Sequence, residues 1–191
     1  MSATPQEILE FWLNDVGEKR WYEASDDLDE AVRRRFSGGW RAARLGAFDH
    51  WLVDPSSALA LIILLDQFPR NMFRGRPQAF AADERALRLA KLAIARGHDL
   101  RVPEPARQFF YLPLMHSEAI ADQDRCVRLV AARMPQGRAR NLPHARAHRE
   151  VIRRFGRFPF RNAALGRAST PEEEAYLAAG GYARTVHDMA A

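Results

Sequence analysis

Cysteine is almost missing from this chain. Cys126 is the only one among 191 residues, so no internal disulfide can form, which agrees with a reducing compartment. Long apolar runs are missing as well. The longest, Ala58 to Leu65, has eight residues, far short of the roughly 20 a spanning helix needs, so no membrane partner is expected. The opening Met-Ser-Ala-Thr-Pro-Gln-Glu has no basic stretch followed by an apolar one; it does not read as a secretory signal, and the expected location is cytoplasmic. No segment shows the apolar–polar alternation of a strand. There is no phosphate loop, no Gly-x-Gly-x-x-Gly, no Gly-x-Ser-x-Gly, no His-Glu-x-x-His and no cysteine pair, so neither a cofactor nor a catalytic metal is expected. Lysine is scarce too, supplying only two of the 29 basic residues.

What is present favours one helical domain over residues 1–191. The length suits a single domain, and 47% hydrophobic residues supply a full core. The charge is unevenly spread. Residues 1–31 hold nine acids against Lys19 and Arg20, whereas residues 133–167 hold ten arginines and the single acid Glu150. A basic third attracts something anionic: a small ligand, a nucleic acid, or the acidic third of the same chain.

Helix signals follow one another along the chain. Thr4-Pro5-Gln6-Glu7 has the capping order, threonine then proline then an acid three residues after the cap, ahead of Ile8, Leu9, Phe11 and Trp12, and Asn14 to Gly17 ends that helix. Asp26 or Asp27 opens a second helix with Leu28, Val32 and Phe36 at four-residue spacing, which Gly38-Gly39 is expected to break or bend. Ala58 to Leu65 is apolar all round and rich in strong helix formers, so it reads as a central buried helix stopped by Pro69. Asp83 to Arg96 is amphipathic and ends at Gly97. Further helices are expected from Pro103 to Leu112, from Ser117 or Glu118 to Met134, and from Pro143 to Phe155, with a short last one after Thr170-Pro171-Glu172-Glu173. Short connections make neighbouring helices antiparallel. The expected fold is therefore all-α, a tetratricopeptide-like array of antiparallel helical hairpins, although no 34-residue consensus is visible.

Two segments echo each other 91 residues apart: Arg70-Asn71-x-x-x-Gly75-Arg76 and Arg161-Asn162-x-x-x-Gly166-Arg167. Each follows a proline just past a helix. Proline enforces an extended exit and glycine permits a turn, so both read as rigid, irregular connectors presenting a guanidinium and an amide. Such a pair can clamp a carboxylate or phosphate. It can equally tie off helix carbonyls and pair with a nearby acid. Asp66 closes the most buried helix and needs a partner, Arg70 or another arginine; it is also a candidate base. His116-Ser117-Glu118 precedes Asp122 and Gln123, and Glu118 and Asp122 share a helix face. His148 lies on one stripe with Val151, Ile152 and Phe155, a turn after His144. His116, Glu118, His148 and Asp66 are the candidates for acid–base chemistry.

The motifs Leu-Asp-Gln-Phe-Pro-Arg-Asn (65–71), Tyr-Leu-Pro-Leu-Met-His-Ser-Glu (111–118), Ala-Asp-Gln (121–123) and Arg-Arg-Phe-Gly-Arg-Phe-Pro-Phe-Arg-Asn (153–162) occur in an order that resembles the bacterial domain of unknown function 924 family. The resemblance implies an α-helical, tetratricopeptide-like fold and no established activity. In the family pattern the last motif usually reads Phe-Pro-His-Arg-Asn, and here Phe160 stands in the histidine's place. A proton or metal carried there in relatives is lost in this chain.

The favoured expectation is a polar pocket for a small anionic ligand, built from Arg70, Asn71, Tyr111, Asp122, Gln123, Arg153, Arg157, Arg161 and Asn162 around those acid–base groups, which would serve an enzyme. A helical module gripping a partner peptide is the alternative, resting on architecture alone. RNA or DNA binding through residues 133–167 is the third and least favoured.

Overall fold

The structure is a computed structural model that describes residues 3–190; Met1 and Ser2, the start of the stretch read above for a signal, lie outside the described residues. Helices and turns make up the described residues, with no strand among them. The chain forms two compact units, Met1–Pro113 and Leu114–Ala191.

The first unit is built around one helix. α1 (Pro5–Leu9) opens with the expected capping box between Thr4 and Glu7 and runs on as a π-helix, Glu10–Val16. The wider turn brings the adjacent aromatics Phe11 and Trp12 inward together. α2 (Asp26–Arg44) passes without interruption through Gly38-Gly39, where the sequence predicts a break. Packing explains the difference: a Cβ on Gly39 would lie 2.9 Å from the Ala3 side chain and 3.9 Å from Leu64, so this glycine permits close approach to neighbours rather than a bend.

α3 (Pro55–Asp66) is capped by Asp54, whose carboxylate accepts from the Ser56 and Ser57 amides. From Ala58 to Leu65 every residue is buried, at 2% exposure or less. α1, α2, α4 (Phe68–Met72), α5 (Asp83–Ala95) and the 3₁₀ turns Asp49–Val53 and Ala106–Phe110 all pack on it. Burying each such Leu or Ile contributes about 1.5–3 kcal/mol, which is why a helix without a polar face belongs at the centre. Pro69 does not force an extended exit. It occupies the first turn of α4, where its missing N–H costs nothing, and Phe68 before it is helical as well. Residues 103–112 make the 3₁₀ turn rather than a full helix, and Pro113 sits inside α6 (Leu112–Met115) instead of stopping a helix.

In the second unit, α7 (Ile120–Arg133) and α8 (Arg138–Phe155) are joined by a short turn and pack as a hairpin. α8 begins five residues earlier than expected. Pro143 falls in its second turn, and Gly156 closes it in the left-handed conformation at φ 69°. The 3₁₀ turn Pro159–Arg161, α9 (Asn162–Leu165), α10 (Pro171–Ala178) and α11 (Gly181–Ala190) complete the unit, α11 lying on α8. The Thr170–Glu173 capping box forms as expected.

Candidate functional site

Both Arg-Asn segments use the same local device. Asn71 donates from Nδ2 to Asp29 at 2.8 Å, and Arg74 grips the same carboxylate with two bonds of 2.8 Å. Asn162 donates to Glu173 at 3.2 Å and to Ser169 at 3.1 Å, and Arg157 grips Glu173 with bonds of 2.6 and 2.8 Å. Each asparagine thus shares a buried carboxylate with an arginine, an arrangement in which all three groups satisfy one another. The Arg157 fork, with the Thr170 amide and Asn162, holds the Glu173 carboxyl down to about 2.

The segments differ at their arginines. In the first unit Arg70 bonds the Ala79 carbonyl and Asp83, lies 3.7 Å from Asp66, and sits over the Phe80 ring at 4.9 Å. Gln67 donates to Asp66 at 2.5 Å. Tyr111, fully buried, donates to Asp99 at 2.7 Å. Arg70, Asn71, Asp66 and Tyr111 are therefore interior hydrogen-bonding groups of the first unit. The Asp66–Arg70 pairing anticipated from sequence is present, though loose.

The second unit holds the other candidates. Glu118 accepts from the Phe158 amide at 2.8 Å and from both terminal nitrogens of Arg167, at 2.8 and 3.1 Å. Burial raises its pKa, but the Arg167 fork, the Phe158 amide and the nearby charge of Arg161 outweigh it and hold the carboxyl below its ordinary value. Arg167 also donates to Asn162 Oδ1 and the Phe158 carbonyl. Glu118 is in this way a clamp on the Phe158–Asn162 turn.

That turn presents Arg161, buried at 6% exposure, with its guanidinium over the Phe158 ring at 4.5 Å and near Phe160 at 5.9 Å. His148 stacks edge-on to Phe158 at 5.4 Å and to Tyr182 at 4.6 Å, and the His116 ring lies 6.2 Å from it. The His148 Nδ1 is 2.9 Å from the His144 carbonyl. A carbonyl only accepts, so Nδ1 carries the proton and Nε2 keeps a lone pair. Burial, and next the charge of His116, then of Arg161 and His144, push His148 down to about 3. His148 is therefore neutral at pH 7. His116 and His148 alone do not make a metal centre, and among the described residues no three of His, Cys, Asp and Glu gather closely enough to hold an ion.

Asp122 and Gln123 serve α7. Asp122 accepts from Ser117 at 3.0 Å, and Gln123 ties off the Met115 and Ser117 carbonyls at 2.7 and 2.6 Å. Arg153 is exposed and pairs with Glu150 on its own helix.

A family model described as "Bacterial protein of unknown function (DUF924)" matches residues 8–181. The chain belongs to this family. A solved structure of a protein of unknown function from Agrobacterium tumefaciens, ATU0120, is similar to the chain at 43% identity over 91% of this chain and 96% of that one, with a TM-score of 0.85. No curated protein matches. Family membership thus agrees with the ordered motifs and with the all-helical fold, and it assigns no reaction. In this DUF924 chain Phe160 is 45% exposed and packs near Phe158 and Tyr182, at 5.2 and 6.3 Å.

Three participants escaped the sequence reading. Asp29 is the carboxylate that anchors the first segment. It shares the inward stripe of Val32 and Phe36 at helical spacing, and an acid on an apolar stripe was a readable signal. Tyr182 had no motif to announce it. Arg167 belongs to the echo between the two segments, but nothing in its local pattern points to Glu118, 49 residues away.

Proposed function

We propose that the second unit binds a small anionic ligand, one bearing a carboxylate or phosphate, at the Phe158–Asn162 turn. The observation that carries this reading is the placing of Arg161, a buried guanidinium over the Phe158 ring, against which His148 also packs. Burial first, and the Arg161 charge after it, hold the neighbouring His148 neutral. A dry, electropositive corner of this kind favours an anion over water. Arg161 is the anion-recognising group, stacked on Phe158 so that its fork has one orientation. His148 Nε2 accepts a hydrogen bond from a ligand O–H or N–H, and His116, half-buried beside it, is the group for proton transfer if the protein is an enzyme. Glu118, Asn162 and Arg157 act through the turn, as positioning residues.

Titration of the full chain with inorganic phosphate and with acetate, followed by ¹⁵N–¹H NMR, tests the reading. Saturable shifts at Arg161, His148 and Phe158, lost in Arg161→Ala, are expected. Wild-type binding by Arg161→Ala refutes it.

A further inference from the structure

The echo between the two segments breaks at its last residue. In the second unit Arg167 is bonded through every part of its guanidinium, to Asn162, Glu118 and the Phe158 carbonyl. Arg76 stands at the same offset in the first segment. It is exposed, and none of the described hydrogen bonds or ion pairs involves its side chain. The Gly75 that precedes it takes a φ of 73° with open space around it, which turns the chain so that Arg76 edges a cleft of about 710 Å³.

The walls of that cleft carry opposite charges. One wall is the first turns of α2, with Asp26, Asp29 and Glu30; the other is the segment after α4, with Arg74 and Arg76. Most of these groups are already satisfied: Asp29 by Asn71 and Arg74, and Glu30 by Arg33, whose guanidinium also binds the Met72 carbonyl. Among the described residues neither the Asp26 carboxylate on one wall nor the Arg76 guanidinium on the other makes a hydrogen bond or close ion pair, and Asp26 acts on Arg74 only through its charge. Phe73, braced against Trp40 at 4.8 Å, supplies an apolar patch between them.

We infer that this cleft binds a short zwitterionic peptide, its ammonium at Asp26 and its carboxylate at Arg76. Opposite charges on facing walls favour a ligand with both ends charged, because a ligand lacking one end gives up one of the two attractions. The volume lies within the roughly 300–1,000 Å³ of ligand-sized pockets, which favours a peptide of two or more residues over a single amino acid. The site is independent of the anion site proposed for the second unit.

The full chain is titrated by ¹⁵N–¹H NMR with L-alanyl-L-alanine, its N-acetylated form, its C-terminal amide and free L-alanine. The dipeptide is expected to saturate shifts at Asp26, Phe73 and Arg76, and each capped form to bind about two- to fivefold more weakly, the worth of one exposed ion pair. Arg76→Ala is expected to bind the dipeptide no better than the wild type binds the amide. Asp26→Asn is expected to bind it no better than the wild type binds the acetylated form. Both positions are exposed, and a circular-dichroism melt checks that the fold is retained. Arg161→Ala is expected to leave this titration unchanged, which separates it from the test of the anion site. No saturable binding, or equal binding of the capped forms, overturns the inference. Equal binding of free L-alanine overturns the peptide assignment.

Discussion

Replacing His148 by glutamine should flatten the chain's loss of stability in acid. The folded protein holds His148 at about 3, against an ordinary 6.5. Because the folded value is the lower one, the unfolded chain takes up a proton first as the pH falls. The neutral histidine's contribution is complete above pH 6.5 and is lost as the pH drops toward 3. Each pH unit in that window removes about 1.4 kcal/mol, so lowering the pH from 6.5 to 4 removes about 3 kcal/mol through this one group. That is a large part of the roughly 5–15 kcal/mol that stabilises a typical domain. His148→Gln keeps a donor for the His144 carbonyl and does not titrate. The difference between wild-type and variant unfolding free energies should therefore narrow by that amount across the window, while carboxylates common to both cancel. Urea unfolding at successive pH values measures it. Far-UV circular dichroism is the suitable probe, since the four tryptophans, Trp12, Trp21, Trp40 and Trp51, all lie in the first unit. Parallel pH profiles for the two proteins, or a His148 imidazole that titrates near 6.5 by NMR, would refute the reasoning.

Three further outcomes follow from packing and pairing. Gly38→Ala, at an exposed position of α2 with nothing within 4 Å of a new Cβ, should raise stability by about 0.5–1 kcal/mol, whereas Gly39→Leu, forced against Ala3, should lower it by about 1–3 kcal/mol; chemical denaturation compares them. Leu61→Ala, at 0% exposure inside α3, should cost about 2–5 kcal/mol in the same assay. Glu173→Gln should lower the melting temperature at pH 7. That deficit should shrink as the pH falls from 4.5 toward about 2, because the wild-type carboxylate, whose folded pKa is depressed, stabilises fully above its ordinary value and is lost below it.

Local grammar made much of the fold legible. The two threonine capping boxes, the left-handed Gly97 after Arg96 and the all-round apolar Ala58–Leu65 each depend on near neighbours, and each forms as the sequence predicts. Prolines and paired glycines misled, because their effect depends on tertiary context. Pro69 begins a helix, Pro143 lies inside one, and Gly39 admits a neighbour. The candidate site divided along the same line. Asp66 beside Arg70 is an i, i+4 pair and could be read from spacing. Glu118 with Arg167 joins positions 49 apart and could not. Cys126 is buried, and burial pushes its thiol up to about 12, so it is inert as a nucleophile.

The central helix has a consequence during synthesis. α3 has no face that tolerates water, and part of its covering, α5 and the turn Ala106–Phe110, is encoded downstream of it. At about 5–20 residues per second, translation takes roughly 2–9 seconds to proceed from Asp66 to Phe110. Through that interval the ribosome carries a nascent chain whose most apolar stretch is only partly covered, and this stretch is where a holding chaperone would engage first.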